Sequence, residues 1–185
     1  LLRPAAAFIF LEFQQLQQIF DDKAPKKIAD IGCGYALFDL FLAKEYDSKL
    51  ALIDLESNEN RHFGFKESGA AYSSLANAAK FLTDNGVKKA SIKTFNPETD
   101  DLSKLTKLDY AFSFISCGFH YPWSTYEDFF KQNVAPDGRI ILDIRSHKLG
   151  EHVREMSGMG FVRSIVMAAN NTADRIMIVK SLKAA

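Results

Sequence analysis

Two glycines and two acids are spaced as if to hold a small ligand. Ile28-Ala29-Asp30-Ile31-Gly32-Cys33-Gly34-Tyr35-Ala36 is a short apolar run that meets two glycines, and the stretch from Leu37 to Tyr46 follows. This pattern predicts a strand, a tight turn and a helix, a geometry that points backbone N–H groups and a helix N-terminus at a ligand. Gly32 and Gly34 fit the first two glycines of the dinucleotide pattern G-x-G-x-x-G, but Leu37 takes the third place. Asp30 stands just before the turn. A carboxylate aimed at that crevice repels a pyrophosphate and suits a ligand with positive charge, such as an amino group. Asp54 ends the next apolar run, Lys49 to Leu55, 20 residues beyond Gly34. An acid at the end of a second parallel strand faces the same crevice and accepts hydrogen bonds from ribose hydroxyls.

Together these residues resemble the first motif of class I S-adenosylmethionine-dependent methyltransferases, acid-x-Gly-x-Gly with a small residue two positions later. The matching positions are Asp30, Gly32, Gly34 and Ala36, the last replacing the family's usual third glycine. The resemblance covers nearly the whole chain from Lys27 onward. It implies S-adenosyl-L-methionine as cofactor, with contacts at Asp30, Gly32, Cys33, Gly34, Asp54, Leu55, Asn96 and Ser116. Asn96 enters as the polar residue just beyond the third strand, which in this family often contacts adenine. Arg61 to Phe65, Gly69 to Tyr72 and Cys117-Gly118-Phe119-His120-Tyr121-Pro122 look like sequences of a sugar O-methyltransferase group. That closer resemblance implies a sugar or other small-molecule hydroxyl as acceptor, hence a small-molecule or glycan partner.

Methyl transfer to a hydroxyl is helped by a base that takes its proton. His120 is the first candidate, because it follows the fourth apolar strand, where the crevice of a parallel sheet opens. A histidine that only braces the Tyr121-Pro122 turn fits the same position. His62 lies in an irregular loop and His147 follows the fifth strand; His152, on a helix, is expected at the surface. On the acceptor side, His62, Phe119, Tyr121 and Trp123 are candidate contacts, the rings as a wall around the acceptor or facing the sulfonium. Such ring clusters more often form core. Asp143 stands at the end of the fifth strand, where it could touch substrate or pair locally. No metal is expected, since spacing alone brings no carboxylate or histidine cluster to one point.

The 185 residues fit one domain, 1–185, in which residues 1–22 form a helix that packs on the sheet or lids the site. Within that helix Ile9, Phe13, Leu16 and Phe20 recur on one face. With 47% hydrophobic residues the chain can bury a sizeable core. The 23 basic and 23 acidic residues cancel, which argues against a broad nucleic-acid footprint. The Asn/Asp-Pro-Pro-aromatic motif of amino-group nucleic-acid methyltransferases is replaced by Ser116-Cys117-Gly118-Phe119. No apolar run reaches the roughly 18–20 residues of a membrane span. Two cysteines, Cys33 and Cys117, suggest a reducing compartment and a cytoplasmic location.

Strands are expected at Lys49–Leu55, Ala90–Phe95, Leu108–Ile115, Arg139–Ile144, Phe161–Met167 and Arg175–Lys180, besides the first. Helices are expected at Ser73–Asn85, around Tyr126–Phe130 and at Lys148–Ser157. Ala135-Pro136-Asp137-Gly138 reads as a type I turn, and Asn170-Asn171 as the turn of a closing hairpin. Strands alternating with helices and ending in a hairpin imply an α/β, Rossmann-like doubly wound sheet, mostly parallel and seven-stranded, with an antiparallel terminal strand. Three classes compete: a small-molecule or sugar O-methyltransferase, with a methyltransferase for an amine or another acceptor as its alternative; a nicotinamide-dependent oxidoreductase; and a non-catalytic module that keeps the fold. A nicotinamide oxidoreductase is disfavoured by Leu37 and Asp30. The oligomeric state is not legible.

Overall fold

The stretches 28–31, 50–53, 110–115 and 140–144 are largely apolar, and such runs are stable only where both faces of a sheet are covered. The computed structural model describes residues 2–55, 74–105, 107–165 and 172–180. Its elements are α1 (Leu2–Asp22), β1 (Lys27–Ile31), α2 (Leu37–Tyr46), β2 (Lys49–Ile53), α3 (Leu75–Asp84), β3 (Ile92–Phe95), β4 (Leu108–Ser113), α4 (Glu127–Asn133), β5 (Val134–Arg145), α5 (Leu149–Met156), β6 (Gly160–Ile165) and β7 (Ala173–Lys180). The strands form one seven-stranded sheet in the order β3-β2-β1-β4-β5-β7-β6. Strands β1 to β5 are parallel, and β7 enters antiparallel between β5 and β6. The expected doubly wound α/β sheet is therefore the fold.

Alternation along each strand divides the apolar residues between two cores. Ala29, Ile31, Ile53, Ile140 and Leu142 face α4 and α5, while Ile28, Leu52, Tyr110, Phe112 and Ile141 face α1, α2 and α3. Helix α1 buries Phe13, Leu16 and Phe20, with Ile9 partly covered. The Phe13 ring meets Phe38, Phe41 and Tyr46, and Phe20 meets Tyr110 and Phe112 edge-on. Of the two places open to this helix, it packs along α2 and the sheet over these residues. Its far end is tied down by Tyr110 Oη, which donates to Lys23 O at 2.8 Å, and by Arg139 Nη1, which donates to Ile19 O.

Several boundaries differ from those expected. The 135–138 segment is no type I turn, because Asp137 has φ +67°, whereas the third residue of that turn needs a negative φ. Leu108 pairs with Val134 and Tyr110 with Arg139, so Ala135–Gly138 bulges from β5 opposite Asp109 alone. Strand β3 begins at Ile92, since Lys89–Ser91 closes a 3-10 turn first. His62, its irregular loop and the Asn170-Asn171 turn lie outside the described residues.

Candidate functional site

The order of strands reverses between β1 and β4, and in doubly wound sheets the crevice beyond such a reversal holds the ligand. Three segments meet there. They are the glycine turn after β1, Asp54 after β2 and the run Phe114–Tyr121 after β4. The glycine turn is fixed from below by Gly32 N–H, which donates to Ile53 O at 2.7 Å. It is fixed from the side by Gly34 N–H, which donates to Asp54 Oδ2 at 2.8 Å. The two glycines are required for different reasons. Gly32 has φ +78°, and a β-carbon there would stand 2.1 Å from Ser116 Oγ. Gly34 has φ +54°, and a β-carbon there would meet nothing within 4 Å among the described residues. Its missing side chain thus leaves room above the turn rather than avoiding a neighbour. Ala36, at the family's third glycine, also adopts a left-handed backbone, φ 58° and ψ 35°, immediately before α2.

Asp54 is largely buried, and that burial raises its pKa, against hydrogen bonds from Gly34 and Leu55 that lower it. Leu55 beside it is 43% exposed, and so is available to an apolar ring. Asn96, at the end of β3, uses its carboxamide oxygen on Glu98 N–H at 3.0 Å. Its neighbour Phe95 accepts from Asp54 N–H at 3.2 Å, so Asn96 and Asp54 share one rim. Cys33 is buried, and burial pushes its thiol pKa up, so this residue serves the turn through its backbone.

Asp30 is placed differently from the charge-complementary carboxylate that its position suggests. It is 6% exposed and faces Asp39, in the first turn of α2, which is fully buried. Neither Asp39 oxygen finds a hydrogen-bond partner among the described residues, and burial together with the facing carboxyl disfavours ionising both groups at once. Burial, then the Asp39 charge, holds the Asp30 pKa well above the ordinary carboxylate range. Burial pushes Asp39 up to about 6. Asp30 is therefore buried beside Asp39 and does not present an exposed charge. Asp39 carries no motif signal, and sequence reasoning missed the pair.

Beyond β4 the chain is held in an unusual conformation. Ser113 Oγ donates to Ile31 O and accepts from Cys117 N–H, both at 2.8 Å. Ile115 has φ +49°, which a β-branched residue rarely adopts. Its N–H donates to Asp143 Oδ2 at 3.1 Å. Asp143 in turn receives two bonds from Arg175, Nε to Oδ1 at 2.6 Å and Nη2 to Oδ2 at 2.8 Å. Arg175 also reaches Glu12 of α1 at 3.2 Å and lies 3.9 Å from the Phe114 ring centroid. Asp143 is thus part of this clamp and not an acceptor contact. The clamp delivers Ser116, whose Oγ lies 3.2 Å from Tyr121 Oη, against Gly32.

The acceptor-side candidates separate. His120 is partly exposed, and its pKa lies below the ordinary value, through burial first and the Arg145 charge second. Tyr121 is partly exposed, whereas Phe119 is 6% and Trp123 4% exposed. Trp123 Nε1 donates to Glu155 Oε2 at 2.8 Å, and the ring packs in the core against α4 and α5. The expected aromatic wall thus loses Trp123 to the core. Phe119 is buried between Arg145, over its face, and His120, at its edge. His152 is not at the surface, for it is 9% exposed and its Nδ1 lies 3.0 Å from Glu155 Oε2. Sequence reasoning also missed Tyr35, which stands in the glycine turn at 59% exposure.

Among the described residues no group of histidines, cysteines and acids could hold a metal ion. Among the same residues no helix is long and apolar enough to cross a membrane. A cavity of about 280 Å³ lies at the other end of the strands, edged by Lys27, Lys49, Lys93 and Lys104, far from these groups.

No protein-family model and no curated protein matches the chain. Solved structures match it in fold. A Nostoc punctiforme protein described as an O-methyltransferase aligns with TM-score 0.66 and 14% identity, over 94% of this chain and 57% of its own. This chain therefore spans little more than half of that relative. A Methanococcus maripaludis protein described as an S-adenosyl-L-methionine-dependent methyltransferase gives TM-score 0.62 at 13% identity, over 97% and 90% of the two chains. Precorrin-6y C5,15-methyltransferase of Geobacter metallireducens gives 0.58 at 14%, over 94% and 87%. The shared architecture is the class I methyltransferase fold.

Proposed function

We propose that this chain, which has the class I methyltransferase fold, is an S-adenosylmethionine-dependent methyltransferase acting on the hydroxyl of a sugar or another small molecule. One observation carries the reading. Gly34 N–H is tied to Asp54 Oδ2 at 2.8 Å, while the space where a Gly34 side chain would stand is open. The left-handed backbone by itself favours glycine here, and the open space above it, beside Asp54, supports a turn that receives a ligand.

The residues fit the cofactor. Asp54 has acceptor capacity beyond its bond to Gly34 and suits the ribose hydroxyls. Leu55 suits the adenine face, Asn96 its polar edge, and Ser116 with the Gly32–Gly34 backbone the remaining rim. When bound, S-adenosylmethionine supplies an electrophilic methyl group on a sulfonium. The chain's part is alignment and proton removal. His120 is the proposed base, since a depressed pKa keeps its imidazole neutral and able to take the hydroxyl proton at pH 7. Tyr121, hydrogen-bonded to Ser116, joins the cofactor side to the acceptor side. Cys33 and Cys117 are both buried free thiols, in keeping with work in a reducing compartment such as the cytoplasm.

Calorimetry with S-adenosylhomocysteine tests the reading. Micromolar binding is expected, about −8 kcal/mol at 1 μM. Absence of binding removes the cofactor and with it the function. Binding without turnover on any hydroxyl or amine acceptor would instead mark a module that keeps only the fold and the ligand.

A further inference from the structure

Arg145, the last residue of β5, is half-buried, and its guanidinium is fixed by two contacts. Its Nε donates to Phe119 O at 2.7 Å, and its Cζ lies 4.7 Å from the Phe119 ring centroid. Together they set both the position and the plane of the group. They use one of its three nitrogens. Nη1 and Nη2 make no hydrogen bond or ion pair among the described residues, and unlike Arg175 Nη1 they are not sealed from solvent. The carboxylate two residues back, Asp143, is occupied by Arg175 and Ile115 N–H. Glu155 is occupied by Trp123 and His152. Among the described residues the Arg145 guanidinium therefore has no carboxylate in ion-pair contact, and its field reaches His120. His147 and Lys148, both exposed, follow it in the next turn. A chain of zero net charge thus has a cationic rim beside its proposed base.

A planar guanidinium with two free parallel donors matches the two oxygens of a carboxylate or a phosphate. We infer that the methyl acceptor carries an oxyanion, a carboxylate or a phosphate, near its reacting hydroxyl, and that Arg145 binds this anion through Nη1 and Nη2 while His120 faces the hydroxyl. The inference rests on the methyltransferase reading and narrows it from any small hydroxyl compound to an anionic one, such as a sugar acid or a sugar phosphate. The exchange balances. The hydroxyl oxygen gains the methyl group and gives its proton to His120, and the electron pair of the broken carbon–sulfur bond stays on sulfur. Anion binding also offsets the Arg145 charge felt by His120.

The test titrates the protein, saturated with S-adenosylhomocysteine, with inorganic phosphate and separately with acetate, following the His120 ring signals by NMR. A saturable shift and a rise in the His120 pKa are expected with at least one anion, and the preferred anion tells phosphate from carboxylate. Arg145→Gln, whose amide can still donate to Phe119 O, should lose the response by about 10–100-fold in affinity, the scale of a charged hydrogen bond. Arg145→Lys should keep part of it. In turnover with glucose, glucuronate and glucose 6-phosphate, Arg145→Gln should raise KM for the charged acceptor and leave S-adenosylhomocysteine affinity unchanged. No saturable response to either anion, or the same response in Arg145→Gln, overturns the inference while cofactor binding keeps the broader reading alive. Failure to bind S-adenosylhomocysteine overturns both.

Discussion

Arg175 grips Asp143 through two hydrogen bonds, 2.6 and 2.8 Å long, with both side chains buried, and Asp143 Oδ2 also accepts from the N–H of Ile115, whose backbone is left-handed. Desolvating two charges is costly, and the pair holds only because each satisfies the other. Asp143→Ala leaves the buried guanidinium with only its 3.2 Å contact to Glu12 and should destabilise the protein by about 3 kcal/mol in urea unfolding. Replacing both residues with apolar ones of similar size should cost much less. If the double variant is as unstable as the single one, the pair is not the source of the effect. The double variant should nevertheless lose activity, because nothing then holds Ile115 and Ser116 in place.

The two glycines of the turn should fail differently. Gly32→Ala places a β-carbon against Ser116 and should destabilise by about 1–3 kcal/mol, the usual cost of overpacking. Ser116→Gly in the same chain should recover part of that loss, a coupling expected of neighbours. Gly34→Ala has open space and should cost only the roughly 1–2 kcal/mol of a left-handed backbone. Its S-adenosylhomocysteine affinity should fall steeply all the same. Normal binding in folded Gly34→Ala would make that turn purely structural.

Asp54→Ala should weaken S-adenosylhomocysteine by about 1.5–3 kcal/mol, the scale of hydrogen bonds to a charged group. Asp54→Asn, which can still accept from Gly34 N–H, should fall between. Since burial raises the Asp54 pKa, affinity should decline on acidification before the ordinary carboxylate range is reached. Calorimetry across pH reads all three, and identical binding in Asp54→Ala rejects the ribose role.

His120→Ala should lower turnover by about 10²–10⁴-fold, the scale of a lost general base. Because burial and Arg145 depress the His120 pKa, the acid limb of the wild-type rate profile should lie below about 6.5 and vanish in the variant. Near-normal turnover in His120→Ala eliminates the base. Joint loss of folding and activity would instead assign it to bracing the Tyr121-Pro122 turn.

The Asp30–Asp39 pair makes stability depend on pH with an unusual sign. Both folded pKa values lie above those of the unfolded chain, so the folded state binds more protons. Its stabilising effect is complete below about pH 4 and is lost as pH rises through the folded pKa of Asp39, about 6, and on toward that of Asp30. The slope should approach about 1.4 kcal/mol per pH unit for each proton released. Urea unfolding at several pH values should show it, and Asp39→Asn should flatten it. An unchanged slope in Asp39→Asn would place the titrating group elsewhere.

The sequence by itself determined the elements and the glycine turn. Two glycines after an apolar run, an acid 20 residues on, and apolar spacing in α1 are local patterns, decided by sterics and periodicity among near neighbours. The strand–turn–helix, Asp54 at the rim of the crevice and the buried face of α1 followed from them. The tertiary structure alone decided which charges meet. Arg175 finds Asp143 because β7 inserts beside β5 in the register that pairs those two residues, 32 positions apart. Arg145 finds Phe119, and Trp123 turns to Glu155 rather than to the acceptor, for the same kind of reason. Asp39 meets Asp30 because the glycine turn folds the start of α2 back over β1. No spacing rule encodes such pairings, since a side chain's distant partner is set by strand order and register, and those depend on burying both cores at once.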